Sequence, residues 1–431
     1  MSKYYNKPVI GIDVASEFSK AAILSPNGDI YRNSFKFNHD LAGFTVLINA
    51  IKKVEEEFSM KPGIFMESTG VYHLTLFYFL KKNNCEVYVI NPLVTNSNKN
   101  KDIRKVKNDN RDALSIAKLS KFEDIKAYSY FDISIFTLKT LCRDYYKFVD
   151  NRTIYKLKLS ADLSLVFPGY TKIFSDTTGA ASLAILKKYQ TPQSILNAPK
   201  EEVIELLMKA SKRKSWCYEV YDKLMKCAYE ATIIAIPSPM FSVKILNSIA
   251  LIENMNIQIN TLLNEIKAFI ESEDVPNSFN CNVKLIMSMG GLGFISAITL
   301  LSEIGDFDNF SKPKQLVAYL GIDPSVNESG KFRGDRNKMS KRGSRLARRV
   351  LYTSALSVIK KLPNGEVSNK ILYDHYHKLI ESKKKKVAIG AIMHKLVNYI
   401  FAILRDQKPY EQRLSKIHNQ MFLNKSNSHV A

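Results

Sequence analysis

Residues 20–37 read KAAILSPNGDIYRNSFKF, two runs of strand-forming residues with Asn27-Gly28 in the turn between them. An Asn-Gly step supplies the backbone that a tight reversal needs, so this stretch predicts an antiparallel hairpin. Before it, PVIGIDVA is an apolar run rich in β-branched residues. After it, DLAGFTVLINAIKKVEEEF has helical spacing with Asp40 placed to cap it. A strand GIFMES, a helix VYHLTLFYFLKKNN, a strand EVYVINP and a helix starting near Asn108 complete the first 125 residues.

That order demands a mixed sheet with helices packed on it, and predicts an RNase H-like α/β domain over residues 1–125. From 126 to 277 strand signals fade and helical spacing takes over, so the fold class as a whole is α/β plus α. Ile245, Ile249, Ile252, Asn256, Ile259, Leu263, Ile266 and Ile270 fall on alternating steps of four and three, a heptad seam with one polar position. Such a seam fits a coiled coil between copies, where a buried Asn fixes register, or a helix packed inside its own subunit. Over 278–410, LIMSMGGLGFISAITLLSEIG predicts a helix, a Gly-rich turn and a second helix. This helix-hairpin-helix could offer backbone N–H groups to a phosphate, or merely let two helices pack closely. The tail 411–431 is polar.

Four acids stand out. Asp13 lies in a strand-like run and Glu67 ends another, while Asp109 and Asp112 sit three apart in KNDNRDALSIAKL, on one helix face. Brought to one sheet edge, they would form an oxygen-rich site suited to Mg²⁺ or Mn²⁺. Two such ions could activate an attacking oxygen and stabilise a departing one at a phosphodiester. The plainer reading is that Asp109 and Asp112 complement a helix N-terminus and Glu67 ends a strand in solvent. Asp13 is harder to dismiss, because burying an unpaired acid is costly.

Charge supplies the substrate class. The chain of 431 residues carries 63 Lys and Arg against 41 Asp and Glu, a formal +22 that favours a polyanion. The excess is densest around VNESGKFRGDRNKMSKRGSRLARRVL, where between 331 and 349 Lys331, Arg333, Arg336, Lys338, Lys341, Arg342, Arg345, Arg348 and Arg349 face one acid, Asp335. A solvated helix face is the plain alternative. Nine cations in nineteen residues beside a Ser329-Gly330 step favour phosphate contact. No run approaches about 18 uninterrupted apolar residues, so no membrane span is expected. Five scattered cysteines without ligand spacing read as reduced thiols of an intracellular, cytoplasmic protein.

GIDVASEFSKAAIL is also similar to the first phosphate loop of actin-like sugar kinases, which share the RNase H-like core. Those enzymes need a second Gly-rich phosphate loop and an adenosine pocket. Neither is evident in this sequence.

Together with MESTGVYHLTLFYFL, VINPLVTNSNKNKDIRKVKNDNRDALSIAKL, the stretch from MGGLGF to ARRVL, and KKKKVAIGAIMHKLVNYIFAIL, that segment resembles the bridge-RNA-guided DEDD transposases, serine recombinases of one insertion-sequence family. The resemblance implies a RuvC-like domain whose metal-binding acids are Asp13, Glu67, Asp109 and Asp112. It also implies a C-terminal transposase domain whose nucleophile is Ser329, although Ser325, Ser340 and Ser344 lie close by. The family's KTD..DA motif stands here as KNDNRDA, with Asn108 in place of threonine. Implied partners are the DNA of element ends and target, a non-coding bridge RNA, and further copies of the chain through the middle helices, as a dimer or tetramer. Two other classes stand beside this one: a metal-dependent nuclease or junction resolvase working without a serine adduct, and a non-catalytic nucleic-acid-binding protein.

Overall fold

The computed structural model describes residues 2–68, 71–90, 112–123, 132–211, 213–236, 238, 240–324 and 338–412, and the backbone of 109–111, 127–128, 328–329 and 332–333. The chain divides into two compact units, Met1–Asp132 and Ile133–Ala431.

The first unit is built on a six-stranded sheet: β1 (Val9–Val14), β2 (Phe18–Leu24), β3 (Ile30–Asn38), β4 (Gly63–Glu67), β5 (Glu86–Ile90) and β6 (Ala127–Tyr128), in spatial order β3-β2-β1-β4-β5-β6. β2 is antiparallel to β1 and β3, β4 is parallel to β1 and β5, and β6 is antiparallel to β5. The expected hairpin is present. Gly28, at φ +97°, donates its N–H to the Ser25 carbonyl and closes the β2–β3 turn. Asp40 caps α1 (Leu41–Phe58) by accepting from the Gly43 N–H at 2.7 Å.

Strand alternation sorts the side chains onto two faces. Ile10, Ile12, Ile64 and Met66 pack against α1 and α2 (Tyr72–Lys82) through Leu47, Ile51, Leu76 and Leu80. Val9, Phe65 and Ile90 turn the other way, toward Ile116 and Ala117 of α3 (Asp109–Phe122). This is the mixed sheet covered by helices that the element order predicted. The sixth strand was not legible, because two residues are too few to show an alternation.

In the second unit, α4 (Ile133–Val166) and α9 (Met240–Ile270) form a long antiparallel pair. Between them lie α5 (Ala180–Lys188), α6 (Pro192–Leu196), α7 (Lys200–Ala210) and α8 (Lys214–Ile234). Ile245, Ile249 and Ile252 pack in one core with Leu159 and Leu163. Ile266 and Ile270 pack in another with Leu138 and Cys142. At mid-length Asn256 accepts from Arg152 Nη1 at 2.8 Å. Ile245, Ile249, Ile252, Ile266 and Ile270 of the seam thus pack within their own chain, the second of the two readings left open.

The C-terminal core gathers α10 (Asn277–Met287), α11 (Phe294–Ile304), α12 (Pro313–Leu320), α13 (Arg345–Val358), α14 (Lys370–Ile380) and α15 (Lys385–Asp406). α15 is the one described helix long and apolar enough to cross a membrane, and Ile392, Leu396, Ile400 and Leu404 along it are buried in this core. The glycine turn between α10 and α11 is present as expected. A Cβ on Gly291 would lie 2.5 Å from Val358 Cγ1, and one on Gly290 would lie 3.2 Å from the Ser368 carbonyl oxygen. These two glycines let the turn pack against its own protein, the second of the two readings left open.

Candidate functional site

The β1–β4 register brings two of the four acids together. Val9, Ile10, Gly11 and Ile12 stand opposite Gly63, Ile64, Phe65 and Met66, a constant offset of 54. The same offset carried one step past the last pair would put Asp13 level with Glu67, one strand spacing of about 4.8 Å apart in backbone. Both project from the face that carries Val9 and Phe65, the face α3 covers.

α3 supplies the other two acids from the same side. It runs antiparallel to β1: Ser2 Oγ donates to the Ser120 carbonyl near its C-terminus, and Gly11 lies beneath its middle. A Cβ on Gly11 would fall 2.3 Å from the Ala113 carbonyl oxygen and 2.4 Å from the Ala117 nitrogen. Two residues further along β1 and one turn back along α3, Asp13 approaches the level of Asp112 and of Asp109, the first residue of α3. Asp13, Glu67 and Asp112 are all half-buried. Among the described residues no three acid, imidazole or thiol groups close into a metal-binding cluster. The Asp109 side chain, needed for the fourth ligand, lies outside the described residues.

The axial position of α3 is fixed by Lys121, a fully buried lysine. Its ammonium donates to the carbonyls of Tyr5, Lys7 and Pro26 at 2.8, 2.9 and 2.9 Å. Burial holds its pKa below the usual lysine value. Gly11 sets the helix-to-sheet distance in the same way that Lys121 sets the height. Gly11→Ala should therefore force the α3 backbone outward and cost about 2 kcal/mol. Thermal denaturation checks this; an unchanged melting temperature would contradict the close approach.

Ser329 belongs to the second unit. Its backbone lies in β7 (Glu328–Ser329), which pairs with β8 (Phe332–Arg333) so that Ser329 stands opposite Phe332. The segments flanking this ribbon are tied together where they leave the core. Pro324 bridges Met339, the Ser340 hydroxyl donates to the Asp323 carboxylate, and the Lys341 N–H donates to the Gly321 carbonyl at 3.0 Å. The crossing needs two glycines. A Cβ on Gly343 would lie 2.0 Å from the Tyr319 carbonyl oxygen, and one on Gly321, at φ +67°, would lie 2.5 Å from the Gly343 nitrogen.

Two of the competing serines have structural tasks. Ser340 is bonded to Asp323, and Ser344 caps α13 by accepting from the Ala347 N–H at 3.2 Å. Ser325 lies outside the described residues. The basic tract divides as well. Lys338, Lys341, Arg342 and Arg345 are exposed. Arg348 turns inward, its guanidinium donating to the Leu320 and Gly343 carbonyls at 3.2 and 2.6 Å, and Arg349 pairs with Asp150 at 2.7 Å. Arg348 is thereby spent inside the protein and Arg349 is paired at its surface, which the spacing of charges could not reveal. The side chains of Lys331, Arg333 and Arg336 lie outside the described residues.

A buried acid that sequence reasoning passed over supports this region. Glu303 on α11 accepts from Arg143 at 2.7 and 3.1 Å and has Lys139 at 3.5 Å. Burial pushes its carboxyl pKa up, but the two cations and the Ser344 hydroxyl outweigh burial and hold it below the usual glutamate value. The signal was available: FISAITLLSEI is an apolar helix with one acid.

Residues 10–168 match the DEDD_Tnp_IS110 model, described as a transposase. Residues 283–369 match a model described as Transposase IS116/IS110/IS902 family. The chain is 22% identical over 231 residues to an uncharacterised 43.6 kDa protein of insertion element IS110 from Streptomyces coelicolor, covering 53% of each chain. It is 28% identical over 136 residues to the transposase for insertion sequence element IS1111A from Coxiella burnetii, 30% of this chain and 35% of that one. It is 28% identical over 138 residues to a pilin gene-inverting protein of Moraxella lacunata, 31% and 40% of the two chains. The matched region thus spans about half the length of the Streptomyces relative and less of the other two.

Proposed function

We propose that this chain, placed among the IS110-family transposases by its two matched segments, cleaves and rejoins DNA strands as the recombinase of an insertion sequence. The observation that carries the reading is the β1–β4 register with α3 across it, which draws Asp13 and Glu67 to one level under the helix that begins at Asp109. The strand order supports an RNase H or RuvC-like reading of the first unit. Carboxylate oxygens alone are a donor set that fits Mg²⁺ or Mn²⁺. When bound, such an ion polarises a phosphoryl oxygen and lowers the pKa of an attacking hydroxyl. Asp13, Glu67, Asp109 and Asp112 would hold it.

The protein's own part of the covalent step falls to Ser329. Its Oγ would bond to phosphorus as its proton leaves, and the P–O bond to one side of the broken strand would open, releasing a DNA hydroxyl that takes up a proton. The phosphoserine keeps the energy of that bond for rejoining to another strand. Two facts support Ser329 over its neighbours: Ser340 and Ser344 are committed to Asp323 and to the α13 cap. Exposed Lys338, Lys341, Arg342 and Arg345 would contact phosphates and position DNA without reading bases. Guidance by a structured RNA rests on the sequence resemblance. The DNA flanking the gene should encode an RNA with loops complementary to element ends and target.

Incubation with substrate DNA followed by a denaturing gel tests the covalent step. Wild-type protein should remain attached to one cleaved strand, and Ser329→Ala should lose both adduct and cleavage. Cleavage by Ser329→Ala without an adduct would instead identify a nuclease that uses the acids alone.

A further inference from the structure

A second cationic feature lies between the middle of α4 and the start of α13. It is an open cleft of about 420 Å³. Arg143, Tyr146, Lys147, Asp150 and Asn151 line it from α4, at helical spacing along one face. Ser344, Arg345, Leu346 and Arg349 line it from α13.

The charges in this cleft are unevenly satisfied. Arg143 is engaged by buried Glu303. Arg349 is engaged by Asp150 and sits over the Tyr146 ring, 5.0 Å from its centroid. Both are thereby held in place on the walls. Lys147 and Arg345 have no acidic partner among the described residues, and the Asn151 amide lines the same cleft. Arg345 also adds to the positive field that, after burial, lowers the Arg348 pKa. Two cations without an acidic partner among the described residues, one on each helix, with the Asn151 amide in the same lining, are complementary to a monoanion with several acceptor oxygens.

We propose that this cleft binds a phosphodiester of a nucleic-acid backbone, with Lys147 and Arg345 as its charge partners and α4 as a second wall of the nucleic-acid interface. The proposal rests on the reading that the basic tract meets nucleic acid, and it extends that tract from Arg345 to Lys147 on a second helix. A backbone phosphate is the occupant in either DNA or RNA, so the probes must separate the two.

Binding of a short DNA duplex and of an RNA hairpin to the full chain, followed by fluorescence anisotropy across a salt series, tests it. Lys147→Ala should lower the slope of log affinity against log salt by about one on the nucleic acid that occupies the cleft, and Lys147→Ala with Arg345→Ala by about two. Lys223→Ala, on α8 and outside the cleft, should leave the slope unchanged. A lowered slope on DNA, on RNA or on both supports the site and names its source. Wild-type binding with a normal slope that Lys147→Ala leaves unchanged would overturn the cleft, while a slope lowered by Arg342→Ala, in the basic tract and outside the cleft, would leave that tract standing. If wild-type protein shows no salt-dependent binding to either probe, both readings fall. Matched melting temperatures for the variants exclude misfolding as the cause.

Discussion

Asp13→Asn should reduce DNA cleavage by about a hundredfold to a thousandfold while the protein keeps its fold and its affinity for DNA. Asparagine has nearly the shape of aspartate and keeps its hydrogen-bonding capacity, so the β1–β4 pairing has no reason to change. What it removes is the negative charge at the level where Glu67 also stands. Lys20 stands opposite Asp13 on β2 and offsets part of the negative charge there, and a bound divalent cation would offset more of it. In Mg²⁺ or Mn²⁺ the wild-type protein should gain stability that the variant lacks. Cleavage within threefold of wild type would remove Asp13 from the site, whatever the melting data show.

Much of this site was legible in residue types, and much of its geometry was not. Apolar runs ending in Asp13 and Glu67 mark strand ends carrying acids. Only the hydrogen-bond register states that the two ends are level, because a one-residue slip would send one acid to the opposite face. Gly11 and the small residues Ala113 and Ala117 looked incidental in sequence; in the fold they are the contact that lets α3 lie on β1. The seam from Ile245 to Ile270 shows the other limit. A heptad period fixes which face is buried and says nothing of what buries it, and α4 does so within the chain. Charge spacing failed similarly at Arg348, since a guanidinium directed at two carbonyls has the same sequence signature as one directed at solvent.

Arg143→Ala should destabilise the helical unit by about 3 kcal/mol, because it leaves the buried Glu303 carboxylate with Lys139 as its one cation and the Ser344 hydroxyl as a neutral donor. Arg143→Lys should recover part of this loss, since an ammonium cannot reproduce the two-point contact that the guanidinium makes. The pH dependence has a definite sign. Glu303 titrates lower in the folded protein than in the unfolded chain, so its pairing stabilises the fold fully above the ordinary glutamate pKa of about 4.5. That contribution fades as the pH falls from there through the lowered folded-state value. Chemical denaturation between pH 6 and pH 3 should show the loss in wild type, and Glu303→Gln should flatten that part of the profile. A Glu303→Gln profile parallel to wild type would mean that other carboxylates govern the acid limb. The position of the pair gives the prediction its functional weight. Glu303 ties α4 to α11 and meets the Ser344 hydroxyl, and its carbonyl accepts from the Tyr319 hydroxyl at 3.3 Å. Ser344 and Tyr319 flank the glycine crossing from which the Ser329 ribbon departs. Loosening that crossing should lower the yield of covalent adduct in Arg143→Ala even at temperatures where the protein remains folded, an effect a remote destabilising substitution of equal size would not produce.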